Sequence, residues 1–179
     1  MIQRHGSVIG LAAFSGRGKT TLAEKLIAGL VSRGMDVATV KHAHHAFDAD
    51  TPGKDSWKHR DAGATEVMVG SAARWALMHE LGGDPEPSLD ALLATMSPVD
   101  LVLVEGFKHA DHAKIEVYRA GLDEPPLARS DATIVALADT GTTPDIPEKV
   151  ARLDPGDPVA VADFIERHWD LPRRRTETT

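Results

Sequence analysis

The run SGRGKTTL, residues 15–22, constrains the fold more than any other stretch of the chain, because it sits between two opposite patterns. Before it, residues 8–13 form a short apolar run of buried-strand type. After it, residues 19–32 place Leu22, Ala23, Leu26, Ile27, Leu30 and Val31 on one helical stripe, and Gly34 just past Arg33 supplies a stop. Strand, glycine-rich turn and helix in that order form the context in which G-x-x-x-x-G-K-[ST] becomes a phosphate cradle. The first glycine of that pattern is here Ala13. A methyl group is the smallest intrusion at that point, and alanine is tolerated if its φ stays negative.

The chemistry of such a turn requires these residue types. Several consecutive N–H groups must point inward, which Gly16 and Gly18 permit. Lys19 opens the helix, where its ammonium reaches the β and γ phosphates beside the positive end of the helix dipole. Thr20 offers a hydroxyl to Mg²⁺, and Thr21 one to the α-phosphate.

The rest of the chain continues the alternation. Residues 37–41, LVLV at 101–104 and TIVALA at 133–138 are short apolar runs interleaved with helical patterns, which predicts a mostly parallel sheet with helices on both faces, an α/β architecture of P-loop NTPase type. Residues 66–69 and 75–80 predict an antiparallel ribbon extending from it. Ser88 is placed to cap a helix carrying Leu89, Leu92, Leu93 and Met96, and Asp157-Pro158 to start one carrying Val161, Phe164, Ile165 and Trp169. Between residues 42 and 64 the chain is polar, and Pro52-Gly53 forbids a continuous helix there. A long loop in a compact domain is a functional candidate. The expected organisation is a single nucleotide-binding domain over residues 1–171, followed by a disordered tail, PRRRTETT, at 172–179.

Composition narrows the function classes. A chain of 179 residues with 42% hydrophobic content buries one full core. Its formal charge of −7, with no long basic run beyond Arg173, Arg174 and Arg175, argues against a nucleic-acid or anionic-membrane surface. The absence of cysteine rules out disulfides, thiolate zinc sites and cysteine nucleophiles. Met1 to His5 lacks a signal-peptide core, and the expected location is the cytoplasm.

Three further groups carry chemistry. LVLVEG places Glu105 at a strand end, where open α/β sheets bind ligands, so Glu105 would hold Mg²⁺ through water or orient a nucleophile, and Gly106 would present its N–H to the γ-phosphate. His42, His44 and His45 with Asp48 and Asp50 are residue types that bind Zn²⁺ or Ni²⁺, but no helical spacing enforces a site. Asp48, Asp50 and Asp55 are instead candidates to order a switch loop around nucleotide-bound Mg²⁺ or a substrate. Asp139 ends the strand where guanine-selective P-loop proteins carry N-K-x-D; that sequence is absent, and Asp139 stands between a guanine contact and a turn former. The residues alone leave GTP and ATP undecided.

Taken together, AAFSGRGKTTL, VKHAHHAFDADTPGKDSWKHRDAGA, SAARWALMHEL and LVLVEGFKHADHAKIEVYR resemble the molybdopterin-guanine dinucleotide biosynthesis protein B family over roughly residues 7–140. The resemblance implies a homodimeric GTP-binding adaptor with Mg²⁺ and at most slow GTPase activity. It would assist the partner guanylyltransferase, protein A of the same pathway, which attaches GMP to molybdopterin. By position, Ser15, Gly16, Arg17, Gly18, Lys19, Thr20 and Thr21 would hold phosphates, Glu105 and Gly106 would face the γ-phosphate, and the loop from His42 to Asp55 would lie toward phosphate or pterin. Two other classes share parts of the pattern. One is a metallochaperone GTPase using the histidines and acids of the second loop; the other is a small-molecule kinase or ligase resembling dethiobiotin synthetase.

Overall fold

The computed structural model describes residues 5–13, 18–43, 47–119, 124–141 and 145–171. The chain divides into two compact units, Met1–His42 with Leu92–Thr179, and Ala43–Ala91.

The first unit is built on six strands: β1 (Ser7–Ala12), β2 (Val37–Lys41), β5 (Leu101–Glu105), β6 (Lys114–Val117), β7 (Ile134–Ala138) and β8 (Ala151–Leu153). Their order is β2-β5-β1-β6-β7-β8, and every neighbouring pair is parallel. This is the α/β, mostly parallel P-loop-type sheet that the alternation of runs predicts. Strands β1 and β5 are nearly continuous apolar runs because both faces of the sheet are covered. On one face, Ile9, Leu11, Leu101, Leu103, Ile115 and Val117 pack against Leu22, Leu26 and Leu30 of α1 (Lys19–Ser32) and Val161 and Ile165 of α4 (Pro158–His168). Each such side chain contributes about 2 kcal/mol by leaving water. Arg33 links the two helices, donating to Asp163 at 2.8 Å and to the buried Glu166 at 2.7 Å; the Glu166 hydrogen bond is the main cause of its raised pKa. The opposite face buries Ala12, Ile134 and Leu137 beneath Ala128 of a 3-10 turn, Leu127–Arg129.

Helix ends follow the local chemistry. Met35 and Gly34 donate to the carbonyls of Leu30 and Val31, closing α1. Asp157 caps α4 by accepting from the Ala160 N–H at 2.9 Å, with Pro158 at the first helical position. Helix α3 (Leu89–Thr95) begins after Ser88, whose hydroxyl accepts from the Ala91 N–H at 3.2 Å. Strand β6 joins the sheet although its sequence, KIEV, alternates charge with aliphatic residues. It approaches β1 closely at Gly10, where an added Cβ would lie 2.5 Å from His112 Nε2 and 2.7 Å from Lys114 Cγ.

The second unit contains α2 (Asp55–Asp61) and an antiparallel ribbon of β3 (Glu66–Gly70) and β4 (Trp75–His79). The ribbon matches the expectation from residues 66–69 and 75–80. Pairing Met68 with Leu77 and Gly70 with Trp75 collects an apolar face, on which Met68 and Trp75 are each 65% exposed. No helix among the described residues is long and apolar enough to cross a membrane.

Candidate functional site

Of the cradle, Ser15, Gly16 and Arg17 lie outside the described residues, as do His44, His45 and the tail at 172–179. The two ends of the turn are described. Ala13 leaves β1 without a positive φ, the condition under which alanine fits, and its side chain packs on the main core cluster. Gly18 takes φ 84° and leads into α1, its carbonyl accepting from the Leu22 N–H. Lys19 is half-buried and folds its ammonium back onto the Ala13 carbonyl at 2.8 Å, bridging the turn from helix to strand. Thr21 is exposed.

Parallel register brings the strand-end acid to this helix start. Glu105 ends β5 level with Leu11 of β1, and its Oε2 accepts from the Thr20 hydroxyl at 3.3 Å. The same oxygen lies 3.9 Å from Nζ of Lys41, the last residue of β2. A hydroxyl and a carboxylate this close, beside a helix N-terminus, form the hard-oxygen set that Mg²⁺ takes together with phosphate oxygens.

The turn after β5 is held in an unusual shape. Gly106 has φ 93°, and a Cβ there would come within 2.5 Å of the His42 Cβ, so only glycine fits. Phe107 follows with φ 45°, costing about 1–2 kcal/mol for a residue with a side chain. The His42 and Phe107 rings meet at 4.8 Å, and the His42 N–H donates to the Glu105 carbonyl at 2.8 Å. His42 thus braces the Glu105–Phe107 turn.

The acids of the second loop belong to the second unit. Asp48 and Asp50 converge on Arg60 of α2: Nη2 lies 3.0 and 2.9 Å from the two Asp48 oxygens, Nε lies 3.2 Å from Asp50, and Nη1 lies 3.0 Å from Glu80. Asp48 also accepts the Asp50 N–H, which with Arg60 lowers its pKa; hydrogen bonds to Glu80 and then Asp48 raise that of Arg60. Asp50 accepts from the Ser56 hydroxyl at 2.8 Å. Asp55 stays exposed, 3.3 Å from Lys58. Among the described residues no three histidine or acidic side chains gather as a metal centre.

Asp139 is buried after β7, two strands from β1 in the sheet order. Its Oδ1 accepts from the Gly141 N–H at 3.1 Å, and its Oδ2 lies 3.6 Å from Arg152. The turn-forming contact is therefore made.

Sequence reasoning does not single out Lys41 or Arg60. Lys41 meets Glu105 only through the crossover that seats β2 beside β5. The available signal is that both runs end on a charged residue. Arg60 carries no spacing signal relative to Asp48 and Asp50, because the loop between them has no fixed period.

Comparison with known proteins gives one answer. Residues 8–140 match the sequence profile described as Molybdopterin guanine dinucleotide synthesis protein B (MobB). The chain is 44% identical over 163 residues to the molybdopterin-guanine dinucleotide biosynthesis adapter protein of Escherichia coli strain K12, covering 88% of this chain and 90% of that protein. Identity to the adapter protein of Haemophilus influenzae is 40% over 167 residues, with 90% and 88% covered. The crystal structure of a MobB homologue from Bacillus stearothermophilus superposes with a TM-score of 0.67 at 25% identity, over 91% of this chain and 97% of that one.

Proposed function

The chain belongs to the MobB family, and on that premise we propose that it is an adapter in molybdopterin-guanine dinucleotide biosynthesis that binds GTP with Mg²⁺ at the start of α1. One observation carries the nucleotide reading. The Thr20 hydroxyl reaches the Glu105 carboxylate at 3.3 Å beside Lys19, at the carboxyl ends of β1 and β5. Few structural needs place a carboxylate and a threonine together at a helix start. A nucleotide-bound metal needs both.

In this reading Lys19 leaves the Ala13 carbonyl and bonds the β and γ phosphates. Thr20 and Glu105 would hold Mg²⁺, which would supply charge neutralisation on the phosphates. Gly106 offers its N–H to the γ-phosphate, with the brace from His42 fixing its direction. The expected hydrolysis is slow, as in P-loop sites that work without an arginine finger. Ser15, Gly16, Arg17, Gly18 and Thr21 complete the phosphate contacts, and the guanine contact falls to Asp139 or to residues near it. The partner is the guanylyltransferase that joins GMP to molybdopterin. The exposed ribbon face of Met68, Trp75 and Leu77 supports a homodimer, since a two-stranded ribbon with a bare apolar face is marginal by itself.

The test is titration calorimetry with GTP and Mg²⁺ on the wild type and Lys19→Ala. We expect at least about a hundredfold loss in the variant, from the loss of a lysine that bonds two phosphates, with an unchanged circular-dichroism spectrum. Equal affinity in the two proteins removes the site, and displacement of GTP by equimolar ATP removes the guanine assignment. Sedimentation of the same preparation as a monomer removes the dimer.

A further inference from the structure

We infer that Lys41 is a second ammonium group for the terminal phosphate and sets the preference for a triphosphate over a diphosphate; this rests on the nucleotide reading above. Lys41 and Glu105 are register partners in adjacent parallel strands, so their side chains leave the same face of the sheet. That face is the one covered by α1, because Leu101 and Leu103 of β5, which alternate with Glu105, pack against Leu22 and Leu26. Lys41 therefore emerges at the carboxyl ends of the strands, on the side where α1 begins with Lys19 and Thr20.

A single oxygen, Glu105 Oε2, is approached from the helix by the Thr20 hydroxyl at 3.3 Å and from β2 by the Lys41 ammonium at 3.9 Å. The Lys41 side chain is 65% exposed. A pair so long and so solvated contributes little to stability. A purely solvated pair would leave nucleotide affinity untouched. Site chemistry predicts otherwise. When Glu105 turns its charge to a metal on the nucleotide, the ammonium beside it is left next to a second concentrated negative charge, the terminal phosphate oxygens. Its flexible four-carbon stem spans the shift. Lys41 would then supply, beside Lys19, a second ammonium charge at the terminal phosphate.

The experiment compares Kd for GDP and for a non-hydrolysable GTP analogue, both with Mg²⁺, in wild type, Lys41→Met and Lys41→Arg. Losing one charge-assisted hydrogen bond weakens the analogue by about tenfold. We expect that loss in Lys41→Met, GDP unchanged within about twofold, and substantial recovery in Lys41→Arg, since a contact to the terminal phosphate alone affects only the triphosphate. Equal change for both nucleotides, or no change for either, overturns the inference and leaves the nucleotide reading standing. Absence of binding by the wild type overturns both. Unfolding midpoints for the three proteins should agree, given the exposure of the side chain.

Discussion

The block running from Glu105 to Lys114 holds two charged groups in opposite circumstances. Glu105, at the carboxyl end of β5, has its polar side-chain contacts at 3.3 and 3.9 Å. Lys114, at the amino end of β6, is 1% exposed and donates to the Ala110 carbonyl at 2.7 Å, the His112 carbonyl at 3.0 Å and the Thr133 hydroxyl at 2.7 Å, with Asp131 at 4.0 Å. Lys114 thus uses all three of its protons on the protein. Burial lowers its pKa; burial also works against ionisation of Asp131, but the Thr133 hydroxyl and N–H and the Lys114 charge outweigh it and lower that pKa. A fully satisfied buried charge fastens the fold, whereas a loosely satisfied one at the strand ends has bonding capacity left for a ligand. Glu116, also on β6, belongs with Lys114: it is fully buried and accepts the Leu127 and Ala128 N–H groups at 2.8 and 2.9 Å, tying the 3-10 turn to the sheet.

Three substitutions would break or sharpen this contrast. Lys114→Ala takes the ammonium donor from the His112 carbonyl, leaves the Ala110 carbonyl with the His112 N–H, and removes the cation beside Asp131, so we expect a loss of about 3 kcal/mol in chemical unfolding. A loss below about 1 kcal/mol would show that the clamp is dispensable. Glu105→Gln should do the reverse, with the unfolding midpoint nearly unchanged and Mg²⁺-dependent GTP affinity lowered about tenfold. A destabilised fold with intact nucleotide affinity would place Glu105 beside Lys114 as a fastener.

The smallest effect concerns His112, whose pKa is pushed down to about 4 by burial and then by the Lys114 charge. Both of its ring nitrogens are buried, and among the described residues neither has a partner within hydrogen-bond geometry, although the Ala110 backbone is near enough to oppose the downward shift. The unfolded chain takes up the proton near the ordinary value of 6.5 and the folded chain only near 4, so stability falls as pH drops through that window. Between pH 7 and 6 the loss is about 0.7 kcal/mol. In His112→Gln that slope should flatten, read from urea midpoints at the two pH values. An unchanged slope would mean that His112 titrates alike in both states.

Much of this was legible in order along the chain. The start of α1 at Lys19, the stripe of Leu22, Leu26 and Leu30, the cap at Asp157 and the ribbon at 75–79 all rest on contacts within a few residues, where side-chain type and spacing decide the outcome. Strand β6 is harder to read: Lys114 and Glu116 in KIEV suggest a solvated segment, and their burial depends on partners elsewhere, among them the carbonyls of Ala110 and His112, the Thr133 hydroxyl and the N–H groups of Leu127 and Ala128. Helix α2 is hidden for a related reason, since Asp55 to Asp61 carries no apolar stripe and has no buried residue.

The sequence by itself determined that a glycine-rich turn joins the first strand to a helix opening on Lys19 and Thr20, because covalent neighbours and backbone freedom suffice for that. Tertiary structure alone decided which charges would meet: β2 beside β5 sets Lys41 against Glu105, and α2 sets Arg60 against Asp48 and Asp50. Lys41 and Glu105 are far apart in the chain, and their distance depends on strand order and register, which arise from the packing of the whole sheet; Arg60 lies 10 and 12 residues from Asp50 and Asp48 and meets them because the loop folds back onto α2.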